Sequence, residues 1–302
     1  MLMAKSAPTI EGLKVTILAD NYVWANSLCQ GQWGASYLID VTIGGHTRRI
    51  LLDCGEYAEP LLHNMRLLSI DPASIEMVVL SHSHHDHTGG LVGLLAAMGK
   101  DYVPVIATPD IFKTSYVATP FYRNVAVQLV AARRDAKSAD WLLSQSPMPL
   151  GAGIMFSGAV ARTTPFEPNR LPGLHVLDNG VARPYEVDDD AALYFETAAG
   201  LVVITGCAHA GIVNTIKHGL AVTGAARPSM VIGGFHLTGA SDQLTEQTIA
   251  ALREYPGLRL VTGHCTGLKA LFAMEKAFGK DLLPLSCGLV LDVFKETGIA
   301  KG

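Results

Sequence analysis

Charged residues are scarce in this chain, since Asp, Glu, Lys and Arg make up 17% of its 302 residues and the formal net charge is −4. A weakly acidic surface gives no electrostatic attraction to nucleic acid or to an anionic membrane. The sequence also contains no basic arm or Lys/Arg-rich run. We therefore expect neither nucleic acid nor a membrane among its partners.

Cysteines are few as well, and long hydrophobic runs are missing. The longest apolar runs have the length of a strand, far below the roughly 20 residues of a membrane span. The first ten residues lack the charged and apolar regions of a signal peptide. An odd, scattered set of cysteines predicts free thiols and favours a cytoplasmic protein. The five are Cys29, Cys54, Cys207, Cys265 and Cys287.

Short runs rich in Val, Ile and Leu alternate with segments of helical length, and 49% of the residues are hydrophobic. This order predicts a single α/β domain over 1–302, made of two similar halves, with two sheets covered by helices on their outer faces. Strands are predicted at about 13–20, 35–43, 49–53, 77–81, 103–107, 154–160, 192–197, 201–205, 230–232, 258–261 and 285–291. Helices are predicted at about 58–68, 90–98, 211–220, 242–254 and 267–278.

The segment at about 111–150 fits this alternation poorly and is predicted to be an insertion. It is rich in aromatic residues, including Tyr116 and Tyr122. One interpretation is a helical insertion whose aromatics pack on the body of the domain. The other is a lid over the site, in which Tyr116 and Tyr122 contact substrate. Exposed apolar residues there would also suit a homodimer contact, although nothing in the sequence requires a dimer.

A dense polar motif follows the predicted strand at 77–81. His82, His84, His85, Asp86 and His87 lie within six residues, just before a glycine-led helix. In open α/β sheets, ligands bind where such strands end. Imidazole and carboxylate side chains together suit zinc, iron or manganese. The motif therefore predicts a metal site at this sheet edge.

The motif resembles the H-x-H-x-D-H signature of the metallo-β-lactamase superfamily. Two later histidines follow strands where the superfamily places further ligands, His209 in Gly-Cys-Ala-His and His264 in Gly-His-Cys. The resemblance implies a four-layer αββα sandwich. It also implies that His82, His84 and His209 bind one divalent metal and that Asp86, His87 and His264 bind another. Zinc is the expected metal, with iron, manganese or a single ion as alternatives.

One ligand of many superfamily members is missing from this chain. They carry an aspartate that bridges the two metals, at the end of the strand between the last two histidines. Here that strand ends in Gly233-Gly234-Phe235-His236, and the next acidic residue is Asp242. His236 could replace the aspartate, contact substrate or cap the strand. The sequence leaves these three roles open.

The stretches 206–214, 233–237 and 263–267, with Asp189-Asp190, are similar to the group named 7,8-dihydropterin-6-yl-methyl-4-(β-D-ribofuranosyl)aminobenzene 5′-phosphate synthase. That resemblance implies group transfer onto a small molecule, with metals stabilising a departing pyrophosphate. Asp86 and His236 are the candidate catalytic residues. The alternatives are a dinuclear hydrolase, either phosphoesterase or lactonase, and a non-catalytic sensor that retains metal. Di-iron redox chemistry is disfavoured because His84 stands where such enzymes have glutamate.

Several other residues are candidates for supporting roles. Asn214, Arg162 and Arg170 are candidate substrate contacts, although single arginines are usually solvated. Asp53, at a strand end, would either hydrogen-bond a ligand histidine or form a turn. Cys207 and Cys265 lie within two residues of candidate ligands, and we interpret them as small, buried strand-end residues.

Overall fold

The computed structural model describes residues 10–117, 123–126, 138–167, 173–178 and 180–295. Within them the α-helices are α1 (Ala58–Leu67), α2 (His85–Thr88), α3 (Leu91–Met98), α4 (Ile212–Thr223), α5 (Asp242–Leu252) and α6 (Leu268–Phe278). The strands of the first half are β1 (Ile10–Ala19), β2 (Ser36–Ile43), β3 (His46–Leu52), β4 (Met77–Val79), β5 (Val103–Ala107), β6 (Thr114–Val117), β7 (Arg123–Asn124), β8 (Ala139–Leu143) and β9 (Met148–Gly151). Those of the second half are β10 (Ile154–Phe156), β11 (Leu174–Asp178), β12 (Val181–Pro184), β13 (Ala192–Thr197), β14 (Gly200–Thr205), β15 (Pro228–Gly234), β16 (Arg259–Gly263), β17 (Leu282–Pro284) and β18 (Val290–Asp292).

Two seven-stranded sheets form the body of the molecule. Their strand orders are β18-β1-β2-β3-β4-β5-β8 and β17-β16-β15-β14-β13-β10-β9. Each sheet changes from antiparallel pairing to a run of four parallel strands, β3-β4-β5-β8 in the first and β14-β15-β16-β17 in the second. The shared pattern agrees with the prediction of two similar halves.

Side chains from both sheets form one buried hydrophobic cluster, which includes Ile39 and Val79 of the first sheet and Ile204 and Ile232 of the second. A second cluster joins the outer face of the first sheet to α1 and α3. A third joins the outer face of the second sheet to α4, α5 and α6. The layers therefore follow the order helix, sheet, sheet, helix, and the predicted αββα sandwich is confirmed.

The described part of 111–150 consists of strands and a short 3₁₀ turn rather than the helices that its sequence suggested. Strands β6 and β7 pair with β11 and β12 in a third, four-stranded sheet. That sheet has its own small core, which includes Val125, Val176 and Tyr185. Strands β8 and β9 instead extend the two main sheets. The β-branched and aromatic residues of the segment suit a pleated surface better than a helix.

A lid role and a dimer contact for the 111–150 segment stay predictions.

No helix in the described ranges combines the length and hydropathy that a membrane crossing requires. All five cysteines are free, as their scattered positions predict.

The packing between the sheets generates a stability prediction at Ile204, a fully buried residue of β14. Ile204→Ala should lower the free energy of unfolding by about 2–5 kcal/mol, because the cavity lies between two rigid sheets that cannot close it. Urea unfolding followed by circular dichroism measures the change. Val181→Ala, at a strand residue with 66% exposure, should change it by less than about 0.5 kcal/mol. A loss at Ile204 no larger than at Val181 would contradict the assigned core.

Candidate metal centre

The predicted metal ligands converge where parallel strands of both sheets end. The motif residues follow β4, His209 follows β14 and His264 follows β16. Parallel strands bring their carboxyl ends to one edge, so residues more than 100 positions apart in sequence meet there. Both predicted ligand sets form at this edge, and each has its ligand atoms within 4.8 Å of one another.

His82, His84 and His209 form the first ligand group. His82 Nε2 lies 3.1 Å from His84 Nδ1 and 3.1 Å from His209 Nε2. Nitrogens bound tetrahedrally to zinc at 2.0–2.1 Å are separated by about 3.3 Å, so this spacing fits a shared metal. Three protein nitrogens also leave one coordination position open, as catalytic zinc sites do.

The protonation of these histidines suits metal binding. Burial lowers the pKa of His82 and His209 well below the usual value, and neighbouring histidines add to the effect. Burial is also the main cause that brings the pKa of His84 to about 3. All three imidazoles are therefore neutral at physiological pH and have a free lone pair for a metal.

Asp86, His87 and His264 form the second ligand group. Asp86 Oδ2 lies 3.6 Å from His87 Nε2 and 3.3 Å from His264 Nε2. Burial would raise the pKa of Asp86, but His87 and His264 outweigh it and hold that pKa well below its usual range. His264 Nε2 is buried, and its contact among the described residues is the one with Asp86. An ionised carboxylate beside a buried imidazole nitrogen fits a second divalent metal.

Hydrogen bonds on the far side of the rings orient three of the ligands. Asp53 Oδ2 lies 2.6 Å from His87 Nδ1, and Ser81 Oγ lies 2.9 Å from His82 Nδ1. Asn21 Oδ1 lies 3.1 Å from His264 Nδ1. These contacts leave Nε2 of each ring directed toward the centre of the site. Of the two roles open for Asp53, the structure shows the histidine contact.

Asp53 also determines the charge of His87 in the metal-free protein. Burial would lower the pKa of His87, but the carboxylates of Asp53 and Asp86 outweigh it and raise that pKa to about 9. A metal at Nε2 would take the place of this proton. Metal binding at the second group should therefore release a proton.

The backbone around the centre is held in an uncommon conformation. Asp53, Ala208, His236 and His264 have φ between 47° and 60°, in the left-handed region that non-glycine residues seldom adopt. Each such residue costs about 1–3 kcal/mol, and such strain clusters at functional sites. Gly206 allows the chain just after β14 to lie close to Ser81, since a Cβ at position 206 would lie 2.1 Å from Ser81 Oγ.

His236 lies beside the first ligand group and belongs to neither. Its ring centroid is 4.2 Å from that of His209. The partly exposed side chain lines a small cavity that is partly open to solvent. Other lining residues include His209, Phe235, Leu237 and Glu167. This position suits contact with a bound molecule better than metal binding. His85 also stands outside both groups, 3.4 Å from Glu56 Oε1.

The candidate substrate residues are less closely grouped than the candidate metal ligands. Arg162 donates to the carbonyl oxygens of His209 and Glu186, and Asn214 is buried and bonds the Thr164 N–H and the Ala210 carbonyl. Both therefore support the loop that carries His209.

Tyr116 lies in the third sheet, with its ring 5.6 Å from that of His175. Tyr122 and Arg170 lie outside the described residues. Their predicted roles stay predictions.

Three supporting residues had no assigned role from sequence. Asp189 accepts the Ser83 N–H at 2.6 Å, and Asp190 accepts the Ala210 N–H at 2.7 Å. These buried carboxylates hold the loops on either side of the first ligand group. Trp33 is 48% exposed, and its ring centroid lies 5.1 Å from that of His264. The adjacent acidic residues Asp189 and Asp190, just before β13, could have indicated a supporting role from sequence. Nothing near Trp33 in the sequence indicates its contact with His264.

Comparison with known proteins agrees with this arrangement. Residues 48–186 match the family model described as a β-lactamase superfamily domain. Over 286 residues, 93% of this chain and 97% of the relative, it is 37% identical to the 7,8-dihydropterin-6-methyl-4-(β-D-ribofuranosyl)-aminobenzene-5′-phosphate synthase of Methanocaldococcus jannaschii. The chain belongs to the metallo-β-lactamase superfamily.

Solved structures with the metallo-β-lactamase fold also match nearly the whole chain. A metal-dependent hydrolase of the β-lactamase superfamily aligns with a TM-score of 0.76 and 25% identity, over 92% of this chain and 98% of the hydrolase. Zinc-bound PqqB from Methylobacterium extorquens aligns with a TM-score of 0.53 and 15% identity, over 92% and 99% of the two chains. The second match supports the fold alone.

The Asp53 contact generates a prediction about metal affinity. Asp53→Asn should weaken metal binding about 10–100-fold, since the neutral amide no longer holds His87 in one tautomer and ring orientation. Competition with a chromophoric chelator measures the affinity. Asp242→Asn, a change at an exposed residue, is the matched control and should leave it unchanged. Equal affinity in the two variants would show that Asp53 does not support the ligand set.

Proposed function

We propose that this protein is a two-metal enzyme, with zinc as the expected metal, that joins a dihydropterin to an aromatic amine and releases diphosphate. The carbon–oxygen bond between the pterin methylene and the diphosphate breaks, and a carbon–nitrogen bond to the aryl amine forms. The amine loses one proton. No oxidant or reductant is needed. The likeness to the synthase of Methanocaldococcus jannaschii over nearly the whole of both chains supports this reaction.

The observation that carries a two-metal centre is the adjacency of the two ligand groups. His82 of the first and His87 of the second have ring centroids only 4.2 Å apart. Divalent metals held by these two neighbouring groups would supply the positive charge that stabilises a departing diphosphate. The roles of the protein are to hold the imidazoles of the first group neutral, to keep Asp86 ionised and to orient both substrates.

An exposed aromatic side chain beside the second ligand group supports a flat, aromatic substrate. Trp33 is half exposed and packs against His264. Aromatic faces favour stacking on planar rings. Both a pterin and an aminobenzene have such rings.

His236 is the side chain best placed to accept the proton that the amine loses. It lines the cavity next to His209 and is not needed as a ligand in either group. A positioned imidazole is the commonest general base in enzymes. We therefore assign His236 to proton transfer or substrate contact, rather than to the position of the missing bridging aspartate.

Hydrolysis of a phosphoester or lactone is the second candidate function. It is favoured by the likeness to the metal-dependent hydrolase of this superfamily. Both candidates use the same two ligand groups. They differ in whether an aryl amine or water attacks the substrate.

The reaction is tested by mixing the zinc-loaded protein with a dihydropterin methyl diphosphate and a ribofuranosylaminobenzene phosphate. We expect diphosphate and the coupled product in equal amounts, both lost on chelation and restored by zinc. Mass spectrometry and diphosphate release measure them. Diphosphate with a pterin alcohol, formed whether or not the amine is present, would assign hydrolysis instead. Bound metal without turnover of either kind would contradict an enzymatic role and favour a sensor.

The assignment of His236 is tested by His236→Ala. The variant should keep the full metal content by elemental analysis, while kcat falls about 10²–10⁴-fold, as for loss of a general base. His46→Ala, at the exposed histidine that begins β3, is the matched control and should change neither quantity. A fall from two metals per chain to one in the His236 variant would show that His236 is a metal ligand.

A further inference from the structure

The thiol of Cys207 lies between the two ligand groups. The residue follows the end of β14, two positions before His209, and is 3% exposed. Its Sγ lies 3.0 Å from His87 Nε2, the nitrogen that faces the second group. Because Nδ1 of the same ring contacts Asp53, Nε2 is the ring atom available to share a metal with this sulfur.

The sulfur also reaches members of both groups. Ligand atoms of Cys207, His82 and His87 lie within 4.8 Å of one another, and so do those of Cys207, His264 and Cys265. His82 belongs to the first ligand group, whereas His87 and His264 belong to the second. His264 Nε2 is buried, makes no hydrogen bond of ordinary geometry, lies 3.3 Å from Asp86 Oδ2 and belongs to the same set as this sulfur.

The strand that would carry a bridging carboxylate has no room for one at its last residue. Strand β15 ends at Gly234, where a Cβ would lie 2.5 Å from Cys265 Sγ and 3.5 Å from Cys207 Cα. The next acidic residue along the chain, Asp242, begins α5 and is exposed. The thiol of Cys265 therefore occupies space that an aspartate at position 234 would need, and Cys207 lies in ordinary contact with the same position.

We propose that the Cys207 thiolate is a metal ligand at the second group and replaces the missing bridging carboxylate. This inference rests on the proposed two-metal centre. Thiolate is a strong zinc ligand, with a bond of about 2.3 Å, and carries the same single negative charge as a carboxylate. The thiol loses its proton to solvent as the metal–sulfur bond forms, and no oxidation state changes.

Cys265 provides a matched control. It is equally buried, and its Sγ lies 3.7 Å from the Cys207 carbonyl oxygen, to which it donates. It belongs to the set with His264, but not to the one with His82 and His87. Cys207 alone of the two therefore spans both ligand groups.

The test uses the full chain with cobalt(II) in place of zinc, because a thiolate bound to cobalt gives an intense near-ultraviolet charge-transfer band. Wild type, Cys207→Ser, Cys207→Ala and Cys265→Ser are titrated with cobalt, and circular dichroism checks their folding. We expect the band in wild type and Cys265→Ser and its loss in both Cys207 variants. The second equivalent of cobalt should bind at least about tenfold more weakly to the Cys207 variants.

Two results would overturn the inference while leaving the two-metal centre in place. One is binding of two cobalt ions to wild type without the band. The other is a band that persists in both Cys207 variants and is lost in Cys265→Ser. Failure of wild type to bind a second cobalt ion would overturn the proposed centre, and this inference with it.

Discussion

The Asp53 carboxylate is the contact on which the centre depends most. It follows β3, is fully buried and accepts hydrogen bonds from Ser81 N–H at 2.8 Å and Ser81 Oγ–H at 2.7 Å. Its Oδ2 lies 2.6 Å from His87 Nδ1. One side chain thus fixes the ends of two neighbouring parallel strands and the orientation of the candidate metal ligand His87. A buried carboxylate is costly unless its oxygens are satisfied, so this set of bonds specifies a single arrangement of the turn.

The strained backbone at the centre follows from the same convergence. Strands from two packed sheets end within a few ångströms, and each must turn sharply so that its side chain points inward. Asp53, His236 and His264 make these turns in the left-handed region, where a glycine would fit more easily. Because these side chains form part of the centre, glycine cannot take their place and the backbone remains strained there. The extensive core between the sheets supplies the stability that offsets it.

Much of this architecture could be predicted from sequence, because it depends on local pattern. Alternating apolar runs gave the helices and strands of both halves, and the dense cluster His82–His87 marked the edge where ligands gather. The third sheet was missed because β6 pairs with β11, nearly 60 residues away, which a local pattern cannot show. The contacts of Asp189 and of Trp33 were missed for the same reason. Arg162 and Asn214 were candidate substrate contacts, and the structure shows both side chains donating to backbone carbonyl oxygens in the loop that carries His209.

Charge explains why one framework suits both group transfer and hydrolysis. The first ligand group is made of neutral imidazoles, and the second contributes the ionised Asp86. Two divalent ions held by so few negative ligands would leave excess positive charge at the sheet edge, which favours a diphosphate or phosphoester. That preference does not depend on which nucleophile attacks. In the proposed enzyme the choice between amine and water would therefore come from side chains around the two ligand groups, such as Trp33 beside His264 and His236 beside His209.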